Sequence, residues 1–212
     1  SKIEESLELL GLSPEKIDYV LMTHMHHDHS GGLTRVNSEG NLVSKFPNAK
    51  IIVNDIEWYE MRNPNNRTRG TYLKENWEPI QDQVTTFSDS IDIIPEIQMI
   101  HTSGHSNGHC IILLKQGEDT MIHMGDLMLT HAHRNPLWVP AVDDYPMKSI
   151  SAKEKWLKQA FENGYKFFFY HDQFFAVAEF DKEGKEFVNY VLRSRPPVIP
   201  FTEQQDRRPD FL

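Results

Sequence analysis

The stretch Thr23-His24-Met25-His26-His27-Asp28-His29-Ser30-Gly31-Gly32 constrains this chain more than any other, because it packs four histidines and a carboxylate directly behind the apolar run Ile17 to Met22. Within it, His24, His26, Asp28 and His29 fall as His-x-His-x-Asp-His. Neutral imidazole and carboxylate are the nitrogen and oxygen donors of zinc and its first-row neighbours, and no single core or surface role needs so many titratable groups so close together. A merely solvated polar loop is the bland alternative. The length and β-branched content of the apolar run predict a buried strand that delivers the motif to a sheet edge. Alternate residues of an extended segment share a face, so His24 and His26 can reach one ion, while Asp28 and His29, beyond the bend, can reach a second. Gly31-Gly32 lets the backbone turn away.

The rest of the composition bounds the partners. With 212 residues, 39% hydrophobic and 25% charged, the chain suits one domain, residues 1–212, with a sizeable core. A formal net charge of −9 argues against a nucleic-acid or anionic-membrane surface, and no apolar run reaches the ~20 residues of a membrane span. The single cysteine, Cys110, excludes an intrachain disulfide framework and a multi-thiolate zinc site, and fits a reducing, cytoplasmic setting. A homodimer is left open.

Taken in order, the apolar stripe Ile3, Leu7 and Leu10 predicts a first helix covering one face of a sheet. Ile51-Ile52-Val53 reads as a short buried strand, with Asp55 capping a helix from Ile56 to Met61. Asn63 to Arg69 is a polar loop suited to rim a site, and Thr71 to Gln83 has helical spacing. Strand pieces at Ile91–Pro95 and Ile97–Ile100 lead to a second histidine-rich turn, His101 to His109. Cys110 to Leu114 and Thr120 to Met124 pair as strands and end on Gly125-Asp126. After an irregular passage, Ser151-Ala152-Lys153-Glu154 resembles a capping box opening a helix to about Asn163. Lys166 to Tyr170 is a buried strand delivering His171-Asp172, followed by a hairpin around Asp181 to Lys185 and a Pro-rich tail from Arg195.

The strand ends therefore carry His24, His26, Asp28, His29, His105, Asp126 and His171, a set able to hold two ions. In this order and spacing the chain resembles the metallo-β-lactamase superfamily, whose signature is His-x-His-x-Asp-His, a distant His in a Gly-His turn, an Asp after a Gly, and a final His. The resemblance implies an α+β fold, a four-layer αββα sandwich with the metals at one edge of its two sheets. It implies His24, His26 and His105 on one metal, Asp28, His29 and His171 on another, and Asp126 bridging both. It also implies two or three strands ahead of the first helix, which this chain lacks.

Within the superfamily, Cys110 matches no ligand position of the true β-lactamases, and only a hairpin and a tail follow His171 where glyoxalase II-like thioesterases carry a helical extension. Thr102 to His109 and Gly125 to Met128 are closer to N-acyl homoserine lactonases, particularly the YtnP-like branch, and to related organophosphate and aryl-ester hydrolases. The better-known lactonases place a tyrosine three residues after the bridging aspartate, where this chain has Leu129.

The expected function is thus a dinuclear metal-dependent hydrolase that opens a small lactone or carboxylic ester. Two divalent ions, by default zinc but open to manganese, iron or cobalt, supply a bridging hydroxide nucleophile near neutral pH and polarise the carbonyl. Asp28 is the candidate to carry a proton to the leaving alkoxide. On the irregular passage after Asp126, His133 and Trp138 are candidate substrate-pocket residues, against the reading of an ordinary packed loop. Organophosphate, aryl-ester or thioester hydrolysis is the alternative within the family.

Two other classes compete. One is a non-catalytic, metal-stabilised binding module. The other is a serine hydrolase acting through Ser106 in Gly104-His105-Ser106-Asn107-Gly108, although that elbow needs a following helix and a strand-like run follows here. His27 reads as a variable solvent position or one that supports the ligands from behind, rather than as a ligand, and His101, His109 and His123 read as residues that find hydrogen bonds. Asp172 reads as either an orienting partner of His171 or a strand-end cap.

Overall fold

In a computed structural model that describes residues 2–193, the chain runs α1 (Lys2–Leu9), β1 (Tyr19–Leu21), the single turn α2 (His27–Ser30), β2 (Thr34–Val36), β3 (Leu42–Ser44), β4 (Lys50–Asn54), α3 (Asp55–Arg62) and α4 (Lys74–Trp77). It continues through β5 (Val84–Phe87), β6 (Ser90–Ile94), β7 (Ile97–His101), β8 (Cys110–Gln116), β9 (Asp119–His123), α5 (Pro146–Glu162), β10 (Lys166–Phe168), β11 (Phe175–Phe180) and β12 (Phe187–Leu192). The Pro-rich tail from Arg195 lies outside the described residues.

Side-chain alternation along two strands builds the layers. On β4, Ile51 and Val53 pack with Met22 and with Trp58 and Met61 of α3, while Ile52 between them points the other way, onto Met99, Cys110 and Ile112. On β8, Ile111 and Leu113 pack with Trp156, Leu157 and Ala160 of α5, leaving Cys110 and Ile112 for the inner layer. Each of these fully buried aliphatic side chains contributes ~1.5–3 kcal/mol. Helix, sheet, sheet and helix follow in that order, so the fold is α+β and of the expected αββα kind.

Of the two sheets of the sandwich, the smaller, β1-β4-β5, is parallel and the larger has the order β12-β11-β10-β9-β8-β7-β6, while β2 and β3 pair as a separate antiparallel two-stranded sheet. Within the larger sheet β9 and β10 run parallel, joined by the crossover that contains α5. The ends of β9 and β10 and the β7–β8 turn therefore open at one edge. The end of β1 reaches the same edge, where Cys110 N–H donates to Thr23 O at 2.7 Å.

Some elements depart from expectation. Leu9 and Leu10 of the first helical segment are exposed, and none of its described side chains joins a core cluster, so α1 is not packed as a layer over a sheet. The segment Thr71 to Gln83 is not one helix but α4 followed by a 3-10 stretch, Glu78–Gln83. Pro79 cannot donate to the preceding turn, which stops the α-helix there. The long helix starts at Pro146 rather than Ser151, since proline at the first turn loses no hydrogen bond a helix could use.

Candidate metal centre

Every element that ends at the open edge presents a donor. His24 and His26 follow β1, Asp28 and His29 lie in α2, His105 sits in the β7–β8 turn, Asp126 follows β9, and His171 follows β10. Gly125 has φ +51°, and a Cβ there would come 2.5 Å from His109 Nε2, so only glycine lets the chain turn Asp126 inward. Asp126 N–H then donates to His109 Nε2 at 3.1 Å, which leaves the ring proton of His109 on Nδ1, facing Thr102 Oγ1 at 3.0 Å.

The donors converge into two groups, His24 with His26 and His105, and Asp28 with His29, Asp126 and His171. Asp126 joins them. Its Oδ2 lies 3.9 Å from His24 Nε2 and 3.3 Å from His105 Nε2, and its Oδ1 lies 3.3 Å from both His29 Nε2 and His171 Nε2. Asp28 Oδ2 is 3.5 Å from each of the latter two nitrogens. Two donors on one tetrahedral ion, each ~2.0–2.1 Å from it, lie about 3.3–3.4 Å apart; the contacts of Asp126 with His29, His105 and His171 have that spacing, and the other donor contacts run from 3.0 Å, His26 Nδ1 to His105 Nε2, to 3.9 Å.

The donors also fit ions by what they lack. Among the described residues, the buried side-chain nitrogens and oxygens with no hydrogen-bond partner are His24 Nε2, His26 Nε2 and Asp126 Oδ1. All belong to residues of this cluster, and such atoms are costly to bury unpaired; His24 Nε2 and Asp126 Oδ1 face the other donors, whereas His26 turns its other nitrogen, Nδ1, toward them, 3.0 Å from His105 Nε2. Burial pushes the pKa of His24 well down and that of His26 to about 3, keeping both in the neutral form that ligation requires. Burial opposes the charge of Asp126, but the surrounding imidazoles of His171, His29 and His24 outweigh it and hold the carboxyl far below its ordinary range.

The profile of the Metallo-beta-lactamase superfamily matches residues 1–171, ending on the last of these ligands. The chain belongs to that superfamily. A probable metal-dependent hydrolase from Staphylococcus aureus, known by crystal structure, is 40% identical, with a TM-score of 0.87 over 93% of this chain and 70% of that one. The dizinc quorum-quenching lactonase AidC, at 19% identity and a TM-score of 0.73, covers 92% of this chain and shares the fold. An N-acyl homoserine lactonase from Bacillus cereus is 29% identical over 121 residues, 57% of this chain and 42% of that protein. The chain thus spans less than half the length of the curated relatives it matches.

The donors are only part of the site. A cavity of about 300 Å³ lies over them, lined by Thr71, Leu129, Val142 and Asp144 besides His27 and the donors His26, Asp28, His105, Asp126 and His171. His27 is exposed on its lip, as its pattern position suggests. The polar loop from Asn63 contributes Arg67, whose Nε donates to Asp144 Oδ1 at 2.5 Å across the rim.

His133 and Trp138 are not among the residues lining this cavity. His133 is half-buried with Nδ1 2.9 Å from Thr130 Oγ1, and Trp138 faces a separate recess with Arg134 and Glu183. Ser106 is fully buried and donates to Glu57 Oε2 at 2.6 Å, with β8 following, so it has neither the exposure nor the helix of a nucleophile elbow. His101 and His123 bond the carbonyls of Asn107 and Phe168, as expected of strand histidines.

Three carboxylates that hold the ligands in place stand apart from the motif. Asp143 accepts from His105 Nδ1 at 2.8 Å and from Ser149 Oγ at 2.6 Å. Burial disfavours charge on His105, yet the hydrogen bond to Asp143 and the charge of Asp126 outweigh it and raise its pKa. Asp172 accepts from His131 N and Nδ1 on one oxygen and from Phe174 N and Phe175 N on the other, so it caps the turn after His171 and clamps the Asp126 passage rather than touching His171. The third is Glu57, buried under both histidine-rich turns. Glu57 sits at the third position of α3 after the Asn54 cap, where a glutamate normally turns back on its own helix, so its pattern reads as a cap.

Proposed function

We propose that this chain is a dinuclear metal-dependent hydrolase that opens a lactone or carboxylic ester. The observation that carries the reading is the division of Asp126, one carboxylate oxygen facing His24 and His105 and the other facing His29 and His171. His24, His26 and His105 would hold one ion, Asp28, His29 and His171 the second, with Asp126 shared. Two divalent ions so held would supply the hydroxide nucleophile at neutral pH and polarise the acyl carbonyl.

The residues do the rest. The buried imidazoles exclude water from one side, and the cavity admits substrate from the other. Asp28, with its side chain 44% exposed to that cavity, is the carboxylate placed to receive a proton as the acyl carbon gains oxygen and to return it as the ester C–O bond breaks. Leu129 and Val142 offer an apolar wall, and among the described residues no lysine or arginine lines the cavity, Arg67 at its rim being paired with Asp144, so an uncharged substrate is favoured over an anionic one. An open cavity above an assembled ligand set speaks against a non-catalytic module.

The likeness to N-acyl homoserine lactonases favours lactones. Leu129, where those enzymes offer a phenol to the carbonyl, keeps aryl esters and phosphotriesters as rival substrates. Elemental mass spectrometry on protein purified without added metal or chelator should return about two ions per chain, and a panel of lactones, aryl esters and phosphotriesters should show lactones turned over fastest. A value near zero that added metal does not restore would overturn the reading.

A further inference from the structure

Glu57 is a fully buried carboxylate whose partners are all neutral donors. Its Oε1 accepts from Met25 N–H at 2.7 Å and from Tyr72 Oη at 3.1 Å, and its Oε2 accepts from Ser106 Oγ at 2.6 Å. Met25 is the residue between His24 and His26. Ser106 is the neighbour of His105. The ring of Tyr72 lies 5.3 Å from that of His26. Each ligand of the first donor group is thus one residue or one ring contact from an atom bonded to Glu57, whereas Asp28, His29 and His171 are joined to it by none of these bonds.

The backbone is shaped around this contact. A Cβ on Gly108 would stand 2.2 Å from Glu57 N and 2.4 Å from Glu57 Cβ, so the second histidine-rich turn presses against α3 as closely as glycine allows. Asn107 Nδ2 adds a bond to Glu60 Oε1 at 2.7 Å, one helical turn along. Burial pushes the Glu57 carboxyl up in pKa, and the hydrogen bonds from Ser106, Met25 and Tyr72 pull against that shift. A carboxylate has enough lone pairs to meet all these donors at once; an aspartate there would have the lone pairs but one methylene less reach, and an apolar side chain would have none.

We infer that Glu57 is the positioning residue of the first ion: a strut that sets the distance between the His24–His26 loop and the His105 turn, and so the zinc affinity of that donor group alone. The inference rests on the metal-centre reading above. Its test uses Zn(II) alone, in competition with a chromophoric chelator, in two backgrounds: Asp28→Ala, which leaves the first group intact, and His24→Ala, which leaves the second.

In the first background Glu57→Ala, and separately Ser106→Ala, should weaken zinc by about 10–100-fold, while in the second background neither should shift it by more than about twofold. Glu57→Gln should restore binding to within a few-fold, because its carbonyl still accepts from Met25 and Tyr72 and the Ser106 hydroxyl can accept from the amide. If Glu57→Ala does not fold, Ser106→Ala, which removes one bond and one oxygen, decides by itself. Equal losses in both backgrounds, or none in the first, would overturn the strut. Absence of zinc binding by the unmodified chain would instead overturn the metal centre.

Discussion

The two donor groups share one aspartate and differ in almost everything else. His24, His26 and His105 are buried, the first with no exposed surface at all, and are held from behind by Glu57 and Asp143. In the other group the side chains of Asp28 and His171 are 44% and 30% exposed and line the cavity. That group is held by backbone clamps, with Tyr170 Oη donating to Asp28 O at 2.9 Å and Arg193 donating to the carbonyls of Phe169, Tyr170 and Asp172. Buried, hydrogen-bonded ligands resist rearrangement, and exposed ones can exchange water and meet substrate. On the proposed dinuclear reading, the first group would retain an ion and the second would work with one.

That contrast can be broken most severely at its shared member. Asp126→Ala should strip both groups, leaving metal content well below one ion per chain and no measurable turnover; retention of two ions would mean that the groups are independent. Asp28→Asn should leave the first ion in place and lower turnover by about 10²–10⁴-fold, and near-wild-type rates would remove Asp28 from the proton path. Asp143→Ala should act on the other side, weakening metal retention by His24, His26 and His105 by about 10–100-fold, as chelator titration would register. An equal effect on both groups would erase the asymmetry.

The smallest effect concerns the passage that carries Asp143. Lys153 is buried in α5 and its Nζ donates to Asn135 O at 2.8 Å and Trp138 O at 2.6 Å; burial lowers its pKa from 10.5 to about 8. Between those values the unfolded chain binds more protons than the folded one, so stability should rise with pH from about 8 towards 10.5. The neutral amine still has hydrogens for both carbonyls, so the loop stays anchored as the charge leaves. The difference in chemical-denaturation midpoint between wild type and Lys153→Met should narrow or widen across that window with this sign, and a difference flat in pH would show that Lys153 keeps its ordinary pKa.

The chemistry of the site was more legible than its mechanics. His24, His26, Asp28, His29, His105, Asp126 and His171 are residue types with few other reasons to cluster, and each stands just after an apolar run or a glycine that marks a strand end. The αββα order follows from the same runs, because strands as apolar as Ile51–Val53 and Cys110–Leu114 must be covered on both faces. Helix limits were less legible. The Ser151 and Glu154 pair looks like a cap but lies inside α5, and Thr71 to Gln83 has helical spacing that Pro79 interrupts.

Local composition, then, determined which atoms can bind ions and at which end of the sheets they emerge, since donor chemistry and strand periodicity are properties of neighbouring residues. Only the tertiary structure decided which donors converge into each group, that Asp126 faces both groups, and that Glu57, Asp143 and Asp172 hold them there. Those carboxylates lie far along the chain from most of the groups they contact, and a hydrogen bond between His105 and Asp143, or between Met25 and Glu57, leaves no period or spacing in the sequence to read.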